Sequence, residues 1–239
     1  MTKKHKEREM SKFKLPLILV IMTAISMPAM AGEKVVKRVP AGAVAFHFVF
    51  DLSYVPVEPG PPEFVGYIAF IEGVDGDLFD GPPSKDNAYF TVRVSRPLPP
   101  PIPLPVEPDP FPGLNVSVIP PGGQFTVFFD SSPGPRDWTR PATFSEGIPI
   151  AVFEESALLS TGASGGSFPG VFYNVFSSRL IDSTRIKFNG QRIDFGILVP
   201  NGVTATNFGN GLRPDMSGAS GGGTAIAIGG KLRDKSDHD

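Results

Sequence analysis

The chain has 239 residues, no cysteine, and 22 basic against 24 acidic side chains. The absence of cysteine excludes disulfides and thiolate metal sites, so core burial and hydrogen bonding must hold the fold. Glycine and proline, at 27 residues each, are concentrated between apolar segments, as in the turns of an all-β protein.

The amino-terminal residues 1–31 predict a cleavable secretory signal peptide. A basic stretch precedes the apolar segment Leu15–Met27, whose 13 residues are too few for a membrane span of roughly 20. Ala29 and Ala31 then fit the small-residue pattern that signal peptidase requires. We expect cleavage between Ala31 and Gly32, with no cysteine nearby to carry a lipid anchor.

Export changes the charge of the remaining chain. Residues 1–31 hold 6 basic and 2 acidic side chains, so the mature chain has 16 and 22 and a formal charge of −6. This balance argues against nucleic acid and against an anionic membrane surface as partners. We expect a protein of the bacterial periplasm or exterior without a stable membrane anchor, with a small molecule or the cell surface as candidate partner.

Alternating apolar residues predict about ten strands. The strongest alternation places Phe46, Phe48 and Phe50 on one face of a strand, with His47 and Asp51 on the other. The predicted strands are Ala43–Leu52, Phe64–Glu72, Ala88–Arg96, Leu114–Ile119, Gln124–Asp130, Ile148–Glu155, Phe168–Ser177, Thr184–Phe188, Arg192–Leu198 and Thr224–Ile228.

The pattern predicts one antiparallel all-β domain over residues 32–230, a barrel or a sandwich. Asn189 and Gly190 predict a tight hairpin. The proline tract over 97–112 predicts a stiff polyproline II loop. The charged residues 231–239 are expected to be a disordered tail.

The segment Gly-Ala-Ser-Gly-Gly occurs twice, at 162–166 and at 218–222, and matches the nucleophile-elbow pattern. Neither copy precedes a helical pattern, and His47 is the only histidine of the mature chain outside the tail. Both copies are therefore interpreted as loops, and no catalytic residue is assigned.

No cofactor is predicted, because phosphate-binding loops, dinucleotide fingerprints and cysteine pairs are missing from the sequence. One candidate metal site is the loop that holds Asp75, Asp77 and Asp80, whose oxygens suit calcium. Their spacing differs from that of an EF-hand, so a solvated turn is the alternative.

Four side chains are candidates for contact with a ligand. His47 and Asp51 share one strand face, about 13 Å apart. Both face solvent if the phenylalanine ladder is the core, and both would line the lumen of a barrel with a polar interior. Arg93 is a further candidate for such a lumen, as is Glu154 or Glu155, which point to opposite faces of their strand. Trp138 lies between two arginines and is a candidate for stacking on a ligand.

The Phe-rich strands and Gly-rich turns resemble those of small antiparallel barrels of the allene oxide cyclase and dirigent kind. The resemblance includes no specific motif, so no activity or residue role is carried over from it.

Three functions stay open at this point. The first is an exported, non-catalytic β-domain with a binding or structural role. The alternatives are a barrel that binds an apolar small molecule and a barrel enzyme that uses carboxylate and arginine chemistry. A deep cavity with convergent polar groups would favour the last two over a filled structural core.

Overall fold

The computed structural model describes residues 34–53, 63–97, 99–104, 114–165, 168–212 and 218–229. These residues fall within one structural unit, Glu33–Asp239. The predicted signal peptide, with Ala29, Ala31 and Gly32, lies outside the described residues. So does the predicted tail over 231–239.

The described residues form an all-β fold with two short helices. The strands are β1 (Lys34–Val35), β2 (Val44–Ser53), β3 (Glu63–Ile71), β4 (Phe90–Arg96), β5 (Ile102–Leu104), β6 (Leu114–Ile119), β7 (Gln124–Phe129), β8 (Ile148–Gly165), β9 (Phe168–Ser183), β10 (Ile186–Phe188), β11 (Gln191–Ile193), β12 (Val203–Leu212) and β13 (Gly218–Ala227). The helices are a 3-10 helix (Pro141–Ser145) and α1 (Phe195–Leu198).

Eight antiparallel strands close into a barrel. Their order is β8-β7-β4-β3-β2-β13-β12-β9, and pairing of β8 with β9 closes the ring. The all-β prediction is therefore confirmed, with the barrel in place of the sandwich. The Phe46, Phe48 and Phe50 ladder of β2 is buried, as the alternation predicted.

The long strand β8 has two partners on one side. Its first half pairs with β7 up to Glu154, and its second half pairs with β6 from Leu158 onward. Strand β5 adds to the outer side of β6, so part of the proline tract is an edge strand. Pro103 is tolerated there because an edge strand does not need every backbone donor.

One end of the barrel is filled by the connection between β9 and β12, which we call the plug (residues 184–202). The ring of Phe195 packs against Phe46 and Phe153, and the ring of Phe188 packs against Phe90. The predicted strand Arg192–Leu198 is wrong in its second half, because α1 begins there. The Asp194 side chain caps this helix by accepting a hydrogen bond from the Gly196 N–H.

The second Gly-Ala-Ser-Gly-Gly copy is a strand and not the predicted loop, since it forms the first half of β13. Glycine is required there by close packing. A Cβ atom built on Gly223 would lie 2.3 Å from the Phe48 ring and 2.5 Å from the Thr206 carbonyl oxygen. The glycines of β13 thus make room for inward-pointing rings of the neighbouring strand. The first copy likewise lies mostly in β8, which runs to Gly165.

The predicted hairpin at Asn189-Gly190 joins β10 to β11. Both residues have positive φ, 47° and 73°. We expect Gly190→Ala to lower the free energy of unfolding by about 1 kcal/mol, because alanine is strained at this φ. Urea denaturation measures the change. Gly134→Ala is the matched control, since a Cβ there meets no atom within 4 Å and its φ is not positive; equal effects at both sites would contradict the prediction.

Candidate functional site

The barrel lumen contains a cavity of about 480 Å³ on the far side of Phe46 from the plug. This volume lies in the range of sites that hold small organic ligands. Most of its lining is apolar. The lining residues are Phe46, Phe48, Leu52, Phe64, Val92, Val94, Pro99, Pro100, Pro101, Ser117, Ile119, Phe125, Glu155, Leu158, Ser160, Phe172, Asn174, Phe176, Val203, Ala205 and Asn207.

The cavity exists because large and small side chains are unevenly distributed along the lumen. Near the plug, Phe125 and Phe153 stack with ring centroids 4.8 Å apart and fill the space. Farther from the plug, small residues such as Ala205 and Ser160 face the lumen and leave it empty. Pro99–Pro101 complete the lining, and because Pro100 and Pro101 are exposed, the cavity reaches the molecular surface beside them.

Four polar residues lie side by side on adjacent strands of the cavity wall, and we call them the polar row. Ser117 pairs with Ser160, Ser160 with Asn174, and Asn174 with Asn207, on the adjacent strands β6, β8, β9 and β12. Neighbouring strands are about 4.8 Å apart, so the row spans about 14 Å. All four residues line the cavity.

Apolar rows flank the polar row on both sides, each two residues away along the strands. Toward the plug the row contains Ile119, Leu158, Phe176, Ala205, Ala225 and Phe46. On the other side it contains Gly162, Phe172, Gly209, Gly221, Phe50 and Gly66. The lumen therefore has a polar band between two hydrophobic zones.

Glu155 faces the same lumen on the plug side of the polar row, because it pairs with Ser178, four residues from Asn174 along β9. A β-bulge follows it in β8. The bulge lies between Glu155 and Ala157, opposite the β6–β7 turn, and it changes which residues of β8 face inward. Before the bulge, Phe153 and Glu155 face the lumen; after it, Leu158 and Ser160 do. A regular strand would place Leu158 or Glu155 outside, because successive side chains alternate.

Glu154 and Glu155 differ in their surroundings. The carboxylate of Glu154 accepts hydrogen bonds from Arg96 and Arg179, each at 2.8 Å, and these bonds lower its pKa. Burial in the apolar lumen raises the pKa of Glu155 to about 7, because desolvation disfavours the charged form. A strongly raised carboxyl pKa in a cavity is typical of functional sites.

Several buried polar atoms of the site have no hydrogen-bond partner. Within the described residues, these atoms include Glu155 Oε2, Asn174 Oδ1 and Asn207 Oδ1, all from the cavity lining, and the Oγ of Ser178, the residue that pairs with Glu155 between β8 and β9. Asn207 is only 5% exposed. An unsatisfied buried polar group costs about 1–3 kcal/mol, so native proteins rarely keep several together without a role.

Two of the four predicted ligand contacts lie on β2, on the face opposite its phenylalanines. His47 is exposed, and its Nδ1 lies 2.9 Å from the Thr224 hydroxyl. Asp51 is buried and accepts a hydrogen bond of 2.7 Å from Ser220. Neither residue belongs to the cavity lining, because the inward face of β2 is apolar.

Arg93 and Trp138, the other two, lie on the outside of the barrel. An Arg93 nitrogen donates to the Ser145 hydroxyl at 3.2 Å. The Trp138 ring stacks on Phe144 at 4.8 Å and so covers the outer face of β3 and β4. The structure therefore does not bring the four predicted side chains together.

The three aspartates of the candidate calcium loop are exposed. Asp75 forms an ion pair with Lys34. In the part of the chain that the structure describes, no three carboxylate, histidine or cysteine side chains are grouped as a metal site requires, so Asp75, Asp77 and Asp80 do not form a ligand set there.

The asparagines and serines of the polar row were not identified from the sequence. A signal for two of them is present, since Asn174 lies between Phe172 and Phe176 at strand spacing, on an otherwise apolar face. Asn207 follows Ala205 in the same way. A polar residue in the middle of an inward ladder indicates a site once the barrel is known.

Comparisons of the chain with protein-family profiles, with curated proteins and with solved structures found no match. Among the described residues, no helix has the length and apolar character needed to cross a membrane. The function proposed for this protein is therefore argued from its cavity.

Proposed function

We propose that this protein binds an apolar small molecule in its barrel lumen, as an exported, non-catalytic binding protein. The observation that carries the proposal is the cavity of about 480 Å³, lined mainly by phenylalanine, leucine, valine and proline. Transfer of a hydrocarbon from water to such a surface yields about 25 cal/mol per Å² of buried apolar area. The plug supports the proposal, because it fills one end of the barrel while the lumen beyond Phe46 stays open.

The lining favours binding over the enzyme alternative. That alternative needs a carboxylate near an arginine, and Glu155 is the one charged side chain among the lining residues that the structure describes. Arg96 and Arg179 lie outside the barrel, on Glu154. A single carboxyl among asparagines and serines suits hydrogen bonding to a ligand better than general acid–base pairing.

Filling the cavity tests the proposal. We expect the full chain to bind the apolar fluorophore N-phenylnaphthylamine, and Ala205→Leu to weaken that binding at least about tenfold, because the added methylenes occupy the ligand's space. Fluorescence titration measures the dissociation constant. Ala69→Leu introduces the same side chain on the exposed face of β3 and should leave binding unchanged.

Thermal unfolding of both variants accompanies the titration. If Ala205→Leu folds with an unchanged melting temperature and still binds as wild type, the fluorophore sits elsewhere and the proposal is wrong. Failure of the wild-type chain to bind any apolar fluorophore would also reject it.

A further inference from the structure

We propose that the lumen selects apolar molecules that carry a hydrogen-bond-donating head group, an alcohol or an amine, over molecules with an anionic head. This inference rests on the proposed function and adds the chemistry of the ligand. Its basis is the polar row, set between two apolar rows, together with Glu155 on the plug side of the same cavity.

The unpartnered atoms of the site are acceptors. Glu155 Oε2, Asn174 Oδ1 and Asn207 Oδ1 are buried and accept no hydrogen bond from the residues that the structure describes. A ligand hydroxyl or ammonium supplies the missing donor, whereas a carboxylate supplies only further acceptors. The band therefore complements a donor.

The charged residues around the lumen also disfavour a ligand with an anionic head group. The lining residues described by the structure include Glu155 and no lysine, arginine or histidine, so nothing there neutralises a bound anion. The arginines nearest in the strand pairing, Arg96 and Arg179, are held outside by Glu154. When ionised, Glu155 attracts an ammonium group and repels a carboxylate.

The arrangement of the rows positions the head group of the ligand. The polar row lies two residues, about 7 Å, from each apolar row along the strands. A molecule with its head at Asn174 and Asn207 can place its hydrocarbon against Phe172 on one side or against Leu158 and Phe176 on the other. The head group thus fixes the position of a chain that the apolar surface alone would hold only loosely.

A matched series of ligands tests the inference. Decanol, decylamine and decanoate share one hydrocarbon chain and differ in the head group. We expect decanol and decylamine to displace N-phenylnaphthylamine from the full chain at pH 8 at about tenfold lower concentration than decanoate. Decanol carries no charge, so the acidic surface of the protein does not attract it. General repulsion of decanoate by that surface is the same in wild type and in the uncharged substitutions of the polar row below.

Substitutions in the polar row test whether it is the source of the head-group preference. Asn207→Leu should reduce the preference for decanol over decanoate, taken as the ratio of their two competing concentrations in the same variant, to less than about threefold. Thr206→Leu places the same side chain on the opposite face of β12 and should keep the preference. Ser160→Ala is a milder second variant of the row if Asn207→Leu does not fold, and it should also lower the preference.

The outcomes separate the inference from the proposed function. If the fluorophore binds and the three ligands compete equally, or decanoate competes best, the head-group selection is wrong and the apolar binding site stands. If the preference persists in Asn207→Leu and in Ser160→Ala, the polar row is not its source and the inference is overturned. If no apolar molecule binds, both are rejected.

Discussion

Replacing Glu155 with glutamine is expected to stabilise the protein above pH 7 by up to about 3 kcal/mol, while leaving its stability near pH 4 almost unchanged. Burial raises the pKa of this carboxyl from its ordinary value of 4.5 to about 7 in the folded state. The folded protein therefore prefers the protonated form, and the unfolded chain does not. The contribution of Glu155 to the free energy of unfolding is therefore fully present below pH 4.5 and is lost as the pH rises to about 7.

Glutamine resembles the protonated acid at every pH, so Glu155→Gln removes this loss. Urea denaturation at a series of pH values from 4 to 8.5 measures the free energy of unfolding of both proteins. The difference between them should grow with pH and level off above about 7. Other carboxyl groups, such as Asp86 with its lowered pKa, lose stability at low pH in both proteins and cancel in the difference.

Glu154→Gln is the control for this experiment. Glu154 is the neighbouring residue, but its carboxylate lies on the outside with Arg96 and Arg179, and its pKa is lowered. Its replacement should not remove the fall in stability between pH 4.5 and 7. If the free energy of unfolding of Glu155→Gln has the same pH dependence as that of wild type, ionisation of Glu155 in the folded protein costs no stability and the prediction is wrong.

Replacing Gly223 with alanine is expected to lower the free energy of unfolding by about 3 kcal/mol or more. The new methyl group would lie 2.5 Å from a backbone oxygen of β12 and 2.3 Å from the Phe48 ring. A side-chain ring moves more readily than a backbone oxygen, and this oxygen belongs to a paired strand. Relief of the clash therefore requires β12 and β13 to separate locally.

Gly162→Ala is the matched control, because this strand glycine has only ordinary contacts, the nearest atom being 3.6 Å from a built Cβ. Alanine there should be neutral or slightly stabilising, since glycine weakens strands through its backbone entropy. Urea denaturation measures both variants. Equal destabilisation at the two sites would mean that Phe48 and β12 do not require the glycine.

The strand content could be predicted because apolar alternation is a local property. The Phe46, Phe48 and Phe50 ladder and the Asn189-Gly190 turn each lie within a few residues and were interpreted correctly. The second half of β13 was predicted as the strand Thr224–Ile228, but its glycine-rich first half was missed. The strand character of that half comes from the rings of the neighbouring β2, and no local propensity favours it. The short helix α1 was also missed, because four apolar residues have no recognisable period.

The candidate site was hidden from the sequence for a related reason. Ser117, Ser160, Asn174 and Asn207 are far apart in the chain and share a row only through the register of four strands. The bulge after Glu155, opposite the β6–β7 turn, lets Leu158 and Ser160 face the lumen as well, and no local pattern marks its position. His47 and Asp51 were grouped correctly on one face of β2, but whether that face was the lumen depended on barrel closure.

The pairing of β2 with β13 has a consequence for how the chain folds. The first barrel strand is hydrogen-bonded to the last, and Asp51 contacts Ser220 across 169 positions of sequence. The ring cannot close until β13 is available, so a growing chain lacks its lumen until β13 has been synthesised. Such long-range pairing places folding in the slow range of milliseconds to seconds, about a thousandfold slower than for helical bundles.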